Sequence, residues 1–161
     1  MEKLIRKIQQ DWIKAKAMAQ AQSELNGFHE LASKLGACSM FKGDENLQEL
    51  IRLMFTPQGM EFMTRFGFPS LSTFRKFKKY NPEQFGVYID KGNIELCETR
   101  KVFLVGNTSA VLKYRETAGN RVCIMHGASA VIIAGGYAVI KTEKDSTAQL
   151  STIVNDKAIV R

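Results

Sequence analysis

A helical N-terminal region capping a short C-terminal β-helix, an α+β architecture, is the fold class this sequence predicts, and three observations predict it. Apolar residues recur at helical spacing to about residue 80, short Val/Ile/Leu/Ala runs replace them from Phe85 onward, and the last third repeats a frame built around alanine. Helices first and strands second mean segregated layers rather than an alternating βαβ order. The expected domains are a helical region, 1–84, and a β-rich repeat region, 85–161. The alternative is the same helices with an antiparallel β-meander or sandwich, in which Gly135-Gly136 would be a hairpin loop.

From Glu2 to about Gln22, Ile5, Ile8, Trp12, Ala15 and Ala19 recur at steps of three and four, the seam of an amphipathic helix. Lys3, Lys7 and Lys14 form a basic stripe on its other side. Such a seam can pack on its own chain or pair two chains, so Ile5, Ile8 and Trp12 are candidate interface residues. A second helix is expected over Glu24 to Leu35, with Gly36 as its stop and a loop to Asp44. Asn46 to Phe55 reads as a third helix. Thr56-Pro57 restarts the chain as a cap followed by a first-turn proline. A last short helix opens at Ser70, with Leu71, Phe74 and Phe77 on one side, and Asn81-Pro82 closes it.

Strands are expected at Val87–Asp90, Asn93–Cys97, Val102–Val105, Ala110–Tyr114, Arg121–Met125, Ser129–Ala134, Tyr137–Thr142, Ala148–Val154 and Lys157–Val160. The segments beginning Asn107, Gly127, Gly135, Asp145 and Asn155 share a turn residue, two variable positions, alanine and an apolar pair. Their spacing suggests a unit of about ten residues, with a degenerate copy at Glu116–Asn120. Inward alanines suit a narrow β-helix, and Gly, Asn and Asp supply the positive φ of tight corners. The stretch from Asn107 to Arg161 resembles irregular parallel β-helix repeats found in uncharacterised proteins of bacteria, phages and mobile elements. That resemblance implies a fold and carries no activity.

Twenty-three Lys and Arg against sixteen Asp and Glu give a net charge of +7, a balance that points to polyanionic or acidic partners rather than to a fold. Cys38, Cys97 and Cys123 fit neither a disulfide framework nor a paired zinc motif, which reads as a reducing, cytoplasmic setting. The charged start of the chain is not a signal peptide, and no apolar window is long enough to span a membrane.

No phosphate loop, dinucleotide fingerprint or metalloprotease motif occurs, so no catalytic residue, cofactor or metal site is expected. His126 beside Gly127 is the one candidate base if the repeats belonged to a hexapeptide-like acyltransferase. The concentrated signal is electrostatic. Between Phe62 and Pro82 there is no acidic residue, while Arg65, Arg75, Lys76, Lys78 and Lys79 alternate with aromatic rings. Two short helices there look like a helix-turn-helix, with Ser70, Ser72 and Thr73 opening the second and the basic residues facing nucleic acid or another anionic partner. Phe74 and Phe77 equally fit an ordinary buried helix face with solvated charge around it.

The leading functional expectation is a non-catalytic binding protein, phage or mobile-element encoded, that scaffolds or inhibits another protein. It is expected to form a homo-oligomer, with Ile159 and Val160 at the interface because the last rung has no visible cap. A DNA- or RNA-binding protein using residues 65–79 is second. An acyltransferase is third.

Overall fold

Residues 1–54 carry three helices, and residues 55–161 carry two helices and nine strands, in a computed structural model that describes every residue from Met1 to Arg161. These two stretches, Met1–Met54 and Phe55–Arg161, are the compact units. The change from helical to strand composition near residue 85 therefore falls inside the second unit.

In the first unit, α1 (Glu2–Leu25) packs on α2 (His29–Ala37), and α3 (Leu47–Met54) follows. Gly27 turns the chain between the first two at φ 76°, a left-handed conformation that glycine adopts without steric cost. Gln20 Nε2 donates to the Ala32 carbonyl, and Lys16 Nζ donates to those of Gly36 and Cys38. Gly36, expected to end the second helix, lies inside it, and the capping position falls at Cys38. Asn46 and Glu49 exchange side-chain and backbone hydrogen bonds of 2.9 Å at the start of α3, which satisfies two otherwise orphaned N–H groups. The seam residues Ile5, Ile8 and Trp12, read above as a candidate interface between chains, are only 3%, 1% and 5% exposed. Trp12 meets Phe41 edge-on at 6.0 Å. They are core residues and offer no surface to a second chain.

The second unit opens with α4 (Pro57–Phe66) and α5 (Leu71–Arg75), capped by the Thr56 hydroxyl on Gly59 N–H and the Ser70 hydroxyl on Thr73 N–H. Two 3-10 turns, Lys78–Tyr80 and Pro82–Phe85, lead into the strands. These are β1 (Val87–Ile89), β2 (Gly92–Cys97), β3 (Lys101–Val105), β4 (Thr108–Tyr114), β5 (Gly119–Met125), β6 (Ser129–Ala134), β7 (Val139–Lys144), β8 (Gln149–Val154) and β9 (Ile159–Val160). Odd strands make one sheet, in the order β1-β3-β5-β7-β9, and even strands the other, β2-β4-β6-β8. Every pairing is parallel. The chain is thus a β-solenoid of about four turns, each turn giving one strand to each sheet, and Gly135-Gly136 is a corner between the sheets.

The ten-residue unit read from the alanines is half a turn. Val102 pairs with Val122 and Ser109 with Ser129, so a full turn spans twenty residues from β3 onward. Ala110 stands over Ala130, which stands over Leu150. Ala148 instead occupies the corner before its strand, as Ala128 does one turn earlier. Inside the coil, Tyr114 is paired in register with the small Ala134, a large-on-small match that fills the layer. The Tyr114 hydroxyl donates to the Thr99 carbonyl at 3.0 Å, and burial pushes its pKa up.

The two outer faces differ. On the odd-strand sheet, Val102, Phe103, Leu104 and Val105 are all fully buried. Alternation along a strand sends Phe103 and Val105 away from the coil interior, where Phe103 meets Phe55 and Phe74 at 5.8 Å each. The helical segment of this unit covers that face, and Arg121 Nη1 donates to the Phe55 carbonyl at 2.7 Å. The even-strand sheet has no helix of its unit over its outer face.

At the corners the strand ladder is interrupted, and carboxylates take over. Asp90 accepts from Asn107 N–H, Glu98 from Arg115 N–H, Asp145 from His126 N–H and Asp156 from Gly136 N–H. Each of these carboxylates sits on a neighbouring turn, so the corners are stitched by charge-assisted hydrogen bonds.

Candidate interaction site

The basic segment folds differently from a recognition helix. The helix expected to run from Ser70 to Lys79 stops at Arg75, where Phe77 N–H bonds the Phe74 carbonyl three residues back and the chain tightens into a 3-10 turn. Ser70 and Thr73 form the N-cap with hydroxyls 3.0 Å apart, and Thr73 is 2% exposed. These two side chains therefore serve the helix start. Ser72 is exposed, its hydroxyl 3.0 Å from that of Ser70.

Two of the five cations are drawn to one carboxylate. Arg75 Nε lies 2.8 Å and Nη2 3.3 Å from the Asp90 oxygens, and Lys78 Nζ lies 3.7 Å away. The hydrogen bond from Arg75 holds the Asp90 pKa down at about 2, against the raising effect of burial and with help from the Asn107 N–H. Arg75 is 53% exposed, so solvent screens the pair and its net contribution is small. Lys76 is exposed, Lys79 lies 5.0 Å from the Tyr80 ring, and Arg65 lies 5.5 Å from the Phe66 ring. Phe74 and Phe77 are buried, which is the ordinary helix-face reading.

His126 is built into the scaffold. Its φ is 57°, its Nε2 donates to the Pro69 carbonyl at 2.8 Å, and its ring meets Phe74 at 5.7 Å. The carbonyl can only accept, so Nε2 carries the hydrogen. This arrangement ties the α4–α5 connection to the corner between β5 and β6. His126→Ala is expected to lower stability by about 1–2 kcal/mol in urea unfolding, and His126→Gln, which keeps an amide donor, to recover part of it. An unchanged midpoint for His126→Ala would remove this role. Cys123 is fully buried, and burial pushes its thiol well above the ordinary range, so it is not a poised nucleophile.

The residues that sequence reasoning missed lie on the outer face of the even-strand sheet. Parallel register stacks Val111 on Val131, and Lys113 on Ile133 on Ile153. Val131 is 36% and Ile153 52% exposed, while Val111 and Ile133 are half-buried. The signal was in the sequence: Ala130–Ala134 is apolar at every position, the pattern of a strand covered on both faces. Val102–Val105 of β3 and Val122–Met125 of β5 show that pattern and are covered on both faces; β6 shows it and is covered on one. Ile159 is 51% exposed and Val160 half-buried on the last strand. In the first unit, Leu25, Phe28 and Leu31 form a further exposed apolar group around the α1–α2 turn.

Comparison with known proteins finds no family model, no curated protein and no solved structure that matches this chain. No helix is long and apolar enough to cross a membrane. Fold and site together define a short parallel β-solenoid with helices over one sheet and, on the open face of the other, an apolar patch of Val111, Val131, Ile133 and Ile153 bordered by Ser109, Lys113, Ser129 and Ser151.

Proposed function

We propose that this chain is a non-catalytic binding protein, a scaffold or mask for another protein, and that the outer face of its even-strand sheet is the docking surface. The observation that carries the reading is β6: a strand apolar on both faces whose outer half, with Val131 beside Ile133 and Ile153, is uncovered. Contiguous apolar surface of this kind marks interaction sites. A hydrogen-bonded sheet also holds its side chains in place, so docking orders few groups. The cysteine pattern supports a reducing, cytoplasmic setting. The pairing of Arg75 and Lys78 with Asp90 favours this reading over a nucleic-acid interface at residues 65–79.

The test compares three baits in affinity capture: the unaltered chain, Val131→Lys/Ile153→Lys, and Lys76→Glu/Lys78→Glu. The captured protein is then purified and titrated directly. We expect at least about a tenfold loss of affinity for the sheet-face variant and little change for the charge-reversed one. Binding lost only on charge reversal, together with affinity for duplex DNA that survives physiological salt, would overturn the proposal in favour of the basic segment.

A further inference from the structure

The free edge of β8 carries an inference that deepens the self-association side of the reading above. Gln149 and Asn155 donate their N–H groups to the carbonyls of Ala128 and Ala134 across the β6–β8 ladder. In a parallel ladder, alternate residues face alternate neighbours. The N–H and C=O groups of Leu150, Thr152 and Val154 therefore point to the open edge of the sheet, where β8 is the last strand.

Edges of this kind are ordinarily blunted by a charge, a proline, a bulge or a covering segment. β8 has none of the first two: Gln149-Leu-Ser-Thr-Ile-Val154 contains no charged residue, no proline and no glycine. The opposite edge of the same sheet, β2, carries Glu95 in an ion pair with Lys113.

The strand is also self-complementary. Run antiparallel to its own copy about a twofold axis at Thr152, it places Thr152 opposite Thr152 of the second copy, and Leu150 opposite Val154 of the second copy. These are the open-edge residues, so all their N–H and C=O groups find partners. Residues of the same parity face each other, which keeps coil-facing side chains with coil-facing ones, whereas a one-residue slip would exchange the faces. No charge meets a like charge. Leu150 is half-buried and Val154 46% exposed in the single chain, and the pairing brings them together. Threonine opposite threonine and aliphatic opposite aliphatic are favourable cross-strand pairs. We propose that two copies of this chain pair through β8, continuing the even-strand sheet across a twofold axis.

The experiment is sedimentation velocity with light scattering on the full chain at rising concentration, beside Thr152→Pro and Thr152→Lys. The proline removes an N–H that points to the open edge and breaks no ladder bond to β6. The lysine keeps the backbone and adds an edge charge. We expect the unaltered chain to reach twice its monomer mass, and both variants to dissociate at least about tenfold more readily with unchanged circular dichroism. If Thr152→Pro fails to fold, Thr152→Lys decides alone. A monomer at every concentration overturns the proposal and self-association with it. A dimer untouched by the folded variants overturns the β8 pairing and leaves self-association standing. Neither result bears on capture of another protein through Val131 and Ile153, which is scored separately.

Discussion

Phe103→Ala is expected to lower the unfolding free energy by about 4 kcal/mol, read as a lower urea midpoint with little change in slope. Phe103 is fully buried and lies against Phe55 and Phe74 on the covered side of the odd-strand sheet. Truncation removes the ring from both contacts and leaves a cavity under helices whose ends are tied by the Thr56 and Ser70 caps. The surroundings relax little, so the cavity adds to the lost burial. Phe103→Leu, which keeps most of the volume, should cost only about 1–1.5 kcal/mol. Ser151→Ala, on the uncovered sheet, should stay within about 0.5 kcal/mol of the unaltered chain. Equal and small effects at positions 103 and 151 would mean that the helices do not cover the sheet in solution.

Asp145→Ala comes next, with an expected loss of about 3 kcal/mol. The Asp145 side chain is 8% exposed and accepts from His126 N–H, Thr147 N–H and hydroxyl, and Ala148 N–H, at 2.7, 2.9, 2.7 and 3.0 Å. Removing it leaves the half-buried His126 N–H and the Thr147 donors without this acceptor, and leaves the Ala148 N–H only its longer 3.3 Å bond to the Asp145 carbonyl position. Asp145→Asn, with one acceptor oxygen and no charge, should fall between alanine and the unaltered chain.

Protonation provides the same test without mutation. Burial alone would raise the Asp145 pKa, but the hydrogen bonds from His126 and Thr147 outweigh it and hold the group below its ordinary value of 3.8. Asp90 is held at about 2, chiefly by Arg75. A carboxylate whose pKa is lowered on folding stabilises the fold above its unfolded pKa and loses that contribution as the pH falls through the folded one. The urea midpoint should therefore drop as the pH falls from about 4 to about 2. That slope should shrink in an Asp90→Asn/Asp145→Asn variant. A slope identical in both proteins would assign acid sensitivity to other groups.

Much of this fold is legible in the residues. Val102–Val105 and Ser129–Ala134 are read as strands because β-branched and apolar residues run between turn formers, and both are strands. Thr56-Pro57 is read as a helix start, and the Thr56 hydroxyl caps it. What the sequence hides is distance. The alanine frame aligns Ala130 with Ala148, but Ala148 is a corner residue like Ala128, and the strand residue one full turn of twenty beyond Ala130 is Leu150. Asp90 lies fifteen residues from Arg75, and nothing local shows that a carboxylate after β1 will quench part of a basic run. The amphipathic seam of α1 reads alike whether its partner is another chain or its own, and only the burial of Trp12 decides. The open face of β6 is present in the sequence as an apolar run without alternation, and it gains meaning only when the other continuous runs are seen to be covered.

Stacking at a fixed interval constrains how this half of the molecule can change in length. From Lys101 onward, each strand residue pairs with one twenty positions further along. Losing or gaining ten residues would hand every later strand to the opposite sheet, moving inner alanines into the sheet that the helices cover and setting Asp145 against the wrong corner. Losing or gaining twenty keeps the remaining columns in register, because each turn touches only its neighbours. Within the strands, insertions and deletions are therefore quantised in whole turns, whereas a corner can change length, as the sixteen-residue step from Val87 to Phe103 does.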